Sequence, residues 1–328
     1  ARTSTGGVVS NTGLALQILG QPVKLVAKLG QDEFGSLIRA KFESIKSGLA
    51  DDFIVDASSN TSYSLVISPA GRDRHFLHHP GCNGTLLAED IPDSAFDWAS
   101  LMHFGYPPLL AAMVAEDGKE LKSLLSRSRS AGLLNSLDMA GVDPDSAVGH
   151  LNWLAILENT VPLVDIFMPS LDEIAYMLGE TVNTSIPQLD DLRRISQRLL
   201  DYGAGMVGLK LGDYGLYFRS SANIDKLKRL SILDQKPEDW LDLELTQPCY
   251  QVDVHGTTGA GDCTIAGFLA AMSRGMDPQA CLKMANAVGA CNVERRDALS
   301  GLRSWQETQT RIAEDWPISP KRIHGATE

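Results

Sequence analysis

The chain has 328 residues, 44% hydrophobic and 21% charged, enough to bury one large α/β core or two small ones. A net charge of −12 disfavours nucleic acid as a partner, because gripping a phosphate backbone needs a basic surface. A mean hydropathy near zero, no long uncharged apolar run and no apolar stretch after Ala1 argue against a membrane span or a secretory signal, so the cytoplasm is the expected location.

The first element is glycine-led. Gly6-Gly7-Val8-Val9-Ser10-Asn11 runs into a helix whose face is Leu14, Ala15, Ile18 and Leu19, with Gly20 to end it. Val23 to Leu29 reads as a strand. Gly30 to Gly35 is a turn into a helix with Phe34, Ile38, Phe42, Ile45 and Leu49 at core positions. Residues 61–76 read as two short strands joined by Ser68-Pro69-Ala70-Gly71-Arg72-Asp73. His75, His78 and His79 are read as lid or linker residues, not a metal site.

From there strand and helix alternate, which predicts a mostly parallel sheet with helices on both faces. Leu101 to Phe104, Leu133 to Leu137 and Val164 to Met168 are strands, and Pro107-Pro108 opens a helix. Asp138 and Glu173 follow strand ends, the side on which open α/β sheets bind ligands, although either also suits a helix cap. Met206 to Leu211 is a buried strand leading into the hairpin turn Gly212-Asp213-Tyr214-Gly215. Residues 220–248 form a charged insert around Trp240 with no role legible from sequence. Residues 279–293 form a helix with Cys281, Met284, Ala287, Val288 and Cys291 apolar and Asn286 polar. The five scattered cysteines include no Cys-x-x-Cys pair and suggest neither disulfides nor zinc.

The stretch richest in chemistry comes before that last helix. Val252 and Val254 alternate as in a strand, Gly256-Thr257-Thr258-Gly259-Ala260-Gly261-Asp262 is a glycine-rich turn, and Ile265, Phe268, Leu269 and Met272 repeat as one helix face. Side-chain-free residues let successive amides converge on an anion, and the helix start adds unpaired N–H groups and a positive dipole end. Asp262 is a carboxylate in that cradle. It acts either as a base taking a proton from a substrate hydroxyl or as a cap on the helix, and the spacing leaves both open. The chain has no Gly-x-x-x-x-Gly-Lys-Ser/Thr and no Gly-x-Gly-x-x-Gly pattern.

Gly256 to Asp262 resembles the C-terminal signature of the ribokinase (PfkB) family of sugar kinases. Gly6-Gly7-x-x-x-Asn11 and Gly30 to Gly35 are similar to its N-terminal signature, so the resemblance spans nearly the whole chain. It implies a ribokinase-like fold: one doubly wound α/β domain over residues 1–328, with a small β lid at about 61–80. It also implies an ATP-dependent kinase acting on a small sugar or sugar acid, with Mg2+. On that pattern Asp262 is the base, and the amides of Gly259, Ala260, Gly261 and Asp262 form the anion hole. Gly6, Gly7 and Asn11 bind the sugar. Arg74 is either a solvated hairpin charge or a lid arginine that reaches the transferred phosphate.

Lys210, Gly212 and Gly215 line the nucleotide, with lysine where relatives often carry threonine, and Asn286 matches a residue near the base; the alternatives are a solvated strand-end lysine and a polar residue on the solvated helix face. Glu173 matches the acid that organises magnesium, while Ser170 replaces the usual asparagine of Asn-x-x-Glu. A nucleoside kinase is the alternative enzyme, a non-catalytic sugar or nucleotide binder the alternative class, and a homodimer is left open. Relatives carry a strand and an acidic sugar contact ahead of the Gly-Gly pair. Here five residues precede it, so either such a segment lies outside this sequence or the sugar site lacks that contact.

Many relatives have aspartate where Gly256 stands, and in ribokinase-like members it helps bind a monovalent cation. Glycine there offers only its carbonyl oxygen, without the carboxylate charge that helps repay the ion's dehydration. Rates in potassium, sodium and a bulky organic cation at equal ionic strength are therefore expected to agree closely. A large potassium-specific activation, lost in Asp253→Asn, would instead identify Asp253 as the cation's ligand.

Overall fold

The computed structural model describes residues 3–67 and 75–326. A six-stranded sheet runs in the order β10-β9-β8-β7-β6-β5, comprising β5 (Leu101–Phe104), β6 (Leu134–Leu137), β7 (Ile166–Phe167), β8 (Met206–Lys210), β9 (Leu216–Ser220) and β10 (Glu244–Gln247). Strands β5 to β8 pair parallel; β8–β9 and β9–β10 pair antiparallel. Both faces are apolar. Leu137, Phe167, Val207 and Tyr217 pack into one core, with Leu124, Ile174 and Ile195 from helices on that side. Leu134, Ile166, Met206 and Phe218 pack into another, beneath Ala15 and the helices of the last third. This is the signature of a sheet covered on both sides.

Val9–Gly13 is a π-helical turn that continues into α1 (Leu14–Ile18). Leu14, Ala15 and Leu19 are buried as expected, but Ile18 is exposed. The expected strand at 23–29 is confined to β1 (Lys28–Gly30), parallel to β2 (Ile54–Asp56). Asp32 caps α2 (Glu33–Ile45), its Oδ1 accepting from Gly35 N at 2.8 Å. Phe42 and Leu49 are core, whereas Phe34 and Ile45 are exposed, because α2 lies over a two-stranded layer that covers only part of its circumference. The Phe34 ring instead meets Tyr63 of β3 (Tyr63–Ile67) at 5.3 Å. Strand β3 pairs antiparallel with β4 (His75–His79), forming the expected hairpin; its turn, with Arg72 and Arg74, lies outside the described residues.

Helix α3 (Ala111–Ser130) follows Pro107–Leu109, and α4 (Trp153–Thr160), α5 (Leu171–Leu178) and α6 (Leu189–Tyr202) cover the same face. Helices α7 (Ala260–Met272) and α8 (Pro278–Val293) pack closely on the other, a β-carbon at Gly267 falling 2.9 Å from Ala285 Cα. Helix α9 (Trp305–Ala313) lies against α8. Among the described residues no helix is long and apolar enough to cross a membrane.

Two readings of the last third change. Val252 and Val254 belong to irregular backbone, with Val254 61% exposed; the strand is the earlier segment β10, a polar edge whose alternation is faint. The charged insert supplies β10 and the fully buried Trp240, whose ring meets Phe218 at 5.9 Å and Phe268 at 6.1 Å and whose Nε1 donates to Gln235 Oε1 at 3.0 Å. The insert therefore completes the core beneath α7. Trp240→Ala is expected to cost about 3–5 kcal/mol of folding free energy, measurable by denaturant unfolding.

Candidate active site

Gly259 adopts a left-handed conformation, φ +77°, and is the N-cap of α7, so Ala260, Gly261 and Asp262 are its first three residues. A β-carbon at Gly259 would lie 2.8 Å from Ala298 Cβ, and one at Gly256 would lie 2.9 Å from Arg296 Cα. The turn is thus packed under residues 295–298 and leaves no room there for side chains. His255 N and Gly256 N both donate to Val293 O, at 2.8 and 3.3 Å, tying the turn to the end of α8.

Asp262 is therefore not the cap. It stands three positions past the cap, as the third residue of the helix, and the residue is 6% exposed with its carboxylate turned to other segments. Asn11 Nδ2 donates to Oδ2 at 3.1 Å and Thr12 Oγ1 to Oδ1 at 3.0 Å; the Tyr106 hydroxyl also donates to Oδ1. Burial first, then the neighbouring Asp262 and Asp138 charges, push the Tyr106 hydroxyl far above its usual pKa, so it remains a donor. Asn11, read from sequence as a sugar contact, is brought onto Asp262. Gly6 and Gly7 open onto free space, a β-carbon at either meeting nothing within 4 Å, and Gly7 has φ +80°.

On the other side of the turn lies Lys210. Its Nζ is 2.5 Å from Asp138 Oδ1 and 3.3 Å from where a β-carbon on Gly261 would sit. Lys210 is not a solvated strand-end lysine: it is 9% exposed, and Asp138 is 2% exposed. Burial pushes the Asp138 carboxyl up, to about 7, against the pull of the Lys210 ammonium and with Glu173 and Asp262 adding to the rise. Burial opposes the charge on Lys210, but Asp138, Glu173 and Asp262 together outweigh it and raise its pKa. His103, on β5, is held neutral by burial and by Lys210, its pKa lowered to about 3.

Glu173 joins this group through its charge, and its Oε2 accepts from Ser170 N at 2.8 Å in a capping box at the start of α5. Serine in place of asparagine is therefore a helix-start signature, Ser-x-x-Glu. Among the described residues no group of three or more His, Cys, Asp or Glu is placed to hold a metal ion. Gly212 and Gly215 form the β8–β9 turn, both at positive φ. Gly212 is open, while a β-carbon at Gly215 would fall 2.1 Å from Gln247 O. Asn286 is buried, not on a solvated face, and its Nδ2 donates to Gln247 O at 2.5 Å and Pro248 O at 3.1 Å. Gly215 and Asn286 thus meet on one segment, 247–248, joined to Lys210 by the hairpin.

Thr12 and Tyr106 were not singled out by sequence. The available signal was positional: Tyr106 lies just past the carboxyl end of β5, and Thr12 is the neighbour of a residue already implicated.

With this geometry in place, the chain belongs to the pfkB family of carbohydrate kinases, whose model matches residues 1–305. It is a carbohydrate kinase with the ribokinase-like fold. An uncharacterized sugar kinase of Archaeoglobus fulgidus is 26% identical over 88% of this chain and 98% of its own length. The 2-dehydro-3-deoxygluconokinase of Bacillus subtilis is 22% identical over 96% of this chain and 89% of its own. Among solved structures, Arabidopsis thaliana ribokinase complexed with ribose and ATP superposes with a TM-score of 0.70 at 19% identity, covering 94% of this chain and 88% of that one.

If Asn11 and Asp262 hold each other, a double-mutant cycle with Asn11→Leu and Asp262→Leu is expected to give a coupling energy of about 1–3 kcal/mol in unfolding free energy. A coupling of zero would mean that the bond contributes nothing to joining these segments.

Proposed function

We propose that the protein phosphorylates a hydroxyl of a small sugar or sugar acid with ATP, Asp262 being the general base and the first-turn amides of α7 the anion hole. The observation that carries this reading is a buried carboxylate in the first turn of a glycine-capped helix, aimed away from that helix's own amides. Asn11, Thr12 and Tyr106 orient it. An acceptor hydroxyl that reaches Asp262 gives its proton to the carboxylate, and the oxygen's electron pair forms the new bond to the γ-phosphorus. The bond from that phosphorus to the β,γ-bridging oxygen breaks, and ADP leaves with the electrons. Amides at Gly259, Gly261 and Asp262 face the negative charge that spreads over the phosphoryl oxygens, while that of Ala260 donates to Thr257 O at 3.2 Å.

The open faces of Gly6 and Gly7 suit close approach of a sugar, and the open Gly212 beside Lys210 suits a nucleotide phosphate chain. Magnesium fits the donor set as a hard ion that one or two carboxylates and the substrate's phosphates hold together, with Glu173 the protein's contribution. When bound, it neutralises phosphate charge. The hairpin β3–β4, exposed and attached by its ends, is the segment we assign to cover the sugar, with Arg74 toward the transferred phosphate.

Asp262→Asn is expected to fold normally and to lower turnover by about two to four orders of magnitude in a screen of sugars and sugar acids that monitors ADP. Near-normal turnover in that variant would remove the mechanism.

A further inference from the structure

All three donors orient Asp262, but they are not equivalent. Asn11 and Thr12 are 7% and 1% exposed and belong to the helical turn Val9–Gly13, so both are packed in place. Tyr106 is partly exposed and stands in irregular backbone between β5 and Pro107. A proline restricts the backbone of the residue before it, and Tyr106 O accepts from Leu109 N at 3.0 Å, so the main chain there is pinned. The side chain keeps its own rotamers, and a turn about its first torsion carries the hydroxyl away from Asp262.

Tyr106 also stands on the side assigned to the sugar. A β-carbon at its neighbour Gly105 would lie 3.5 Å from Val8 Cγ2, and Val8 directly follows the Gly6-Gly7 pair with its open faces. The atom it bonds matters as well. A carboxylate oxygen accepts about two hydrogen bonds. Asp262 Oδ1 accepts from Thr12 Oγ1 and from the Tyr106 hydroxyl, which fills it. Oδ1 is the oxygen that a partly exposed group already reaches, so it is the one an incoming hydroxyl can reach too. What holds it is an O–H donor, the same group that the acceptor presents.

We propose that Tyr106 selects the acceptor: its hydroxyl holds the acceptor's place on Asp262 Oδ1 until a sugar hydroxyl displaces it, and so keeps water from that oxygen. This rests on the kinase reading above and extends it from the identity of the base to the acceptor that the base serves. A sugar bound through several contacts offsets the loss of the Tyr106–Asp262 bond, whereas a single water offers only a bond like the one it would break. A water on Oδ1 would give its proton to the carboxylate and its oxygen to the γ-phosphorus, releasing inorganic phosphate and ADP. Closing the base to water therefore separates phosphorylation from hydrolysis.

The test uses Tyr106→Phe, which removes only the hydroxyl, and Thr12→Val, which removes a packed donor at nearly equal volume. Each is checked for folding by its Tm, and initial rates of ADP release from the full chain in ATP and Mg2+ are measured with and without an accepted sugar. Displacing the bond costs the same in the bound and the reacting complex, so its removal shows in KM and not in kcat. In Tyr106→Phe the sugar KM is expected to fall about three- to tenfold with kcat changed less than about threefold, and ADP release without sugar to rise about fivefold or more. Thr12→Val is expected to lower kcat with no fall in KM and no added hydrolysis. Should Tyr106→Phe not fold, Tyr106→Leu also lacks the hydroxyl and is expected to shift KM and hydrolysis in the same directions.

An unchanged KM or unchanged hydrolysis in the folded Tyr106 variant, or behaviour matching Thr12→Val, makes Tyr106 an orienting donor only; it overturns the proposal and leaves the kinase reading standing. If the unaltered protein releases no ADP with any sugar or sugar acid, the kinase reading falls and this inference falls with it.

Discussion

The structure turns on one carboxylate. Asp262 is buried and draws donors from Asn11 and Thr12, 251 and 250 residues earlier, and from Tyr106, 156 residues earlier. A buried ionisable group without partners would cost several kcal/mol, so these bonds are conditions for the fold as much as for the chemistry. They hold the first helix against α7 and the loop after β5 toward it.

A second charge system stands beside the first. Lys210 and Asp138 are joined across the sheet's carboxyl edge, and Glu173 reaches the same space from the start of α5. These groups come from the end of a parallel strand, the residue after one, or helix first turns, where backbone amides and side chains converge. The sheet gives rigidity, and the glycines at 256, 259 and 261 give clearance.

Legibility followed the length of the signal. Thirteen residues of apolar periodicity made α7 plain, and the glycine turn before it was readable because few other uses need that composition. The proposal of Asp262 as a base comes from the family pattern. Two alternating valines at 252 and 254 were too few to mark a strand, while β10 was hidden because an edge strand needs only one apolar face. Phe34 looked like core by spacing, yet what lies over it is Tyr63 from the hairpin, a contact that no periodicity reports. Lys210 and Asn286 were polar residues with two readings each, and only tertiary structure distinguishes a buried polar side chain from a solvated one. Tyr106 and Thr12 carry no motif of their own; their importance is that they end up beside Asp262.

The distance along the chain between Asn11 and Asp262 has a consequence for biosynthesis. A ribosome adding roughly 5–20 residues per second releases the first helix well before α7 exists, a gap of roughly ten to fifty seconds. For that interval Ala15 and Leu19 lack the α7 face they pack near, and Asn11 and Thr12 lack their acceptor. Closing so long a loop is slow compared with local helix formation. The nascent segment is therefore a natural client for a chaperone, and any product that terminates short of α7 exposes an unfinished first helix that proteases can recognise.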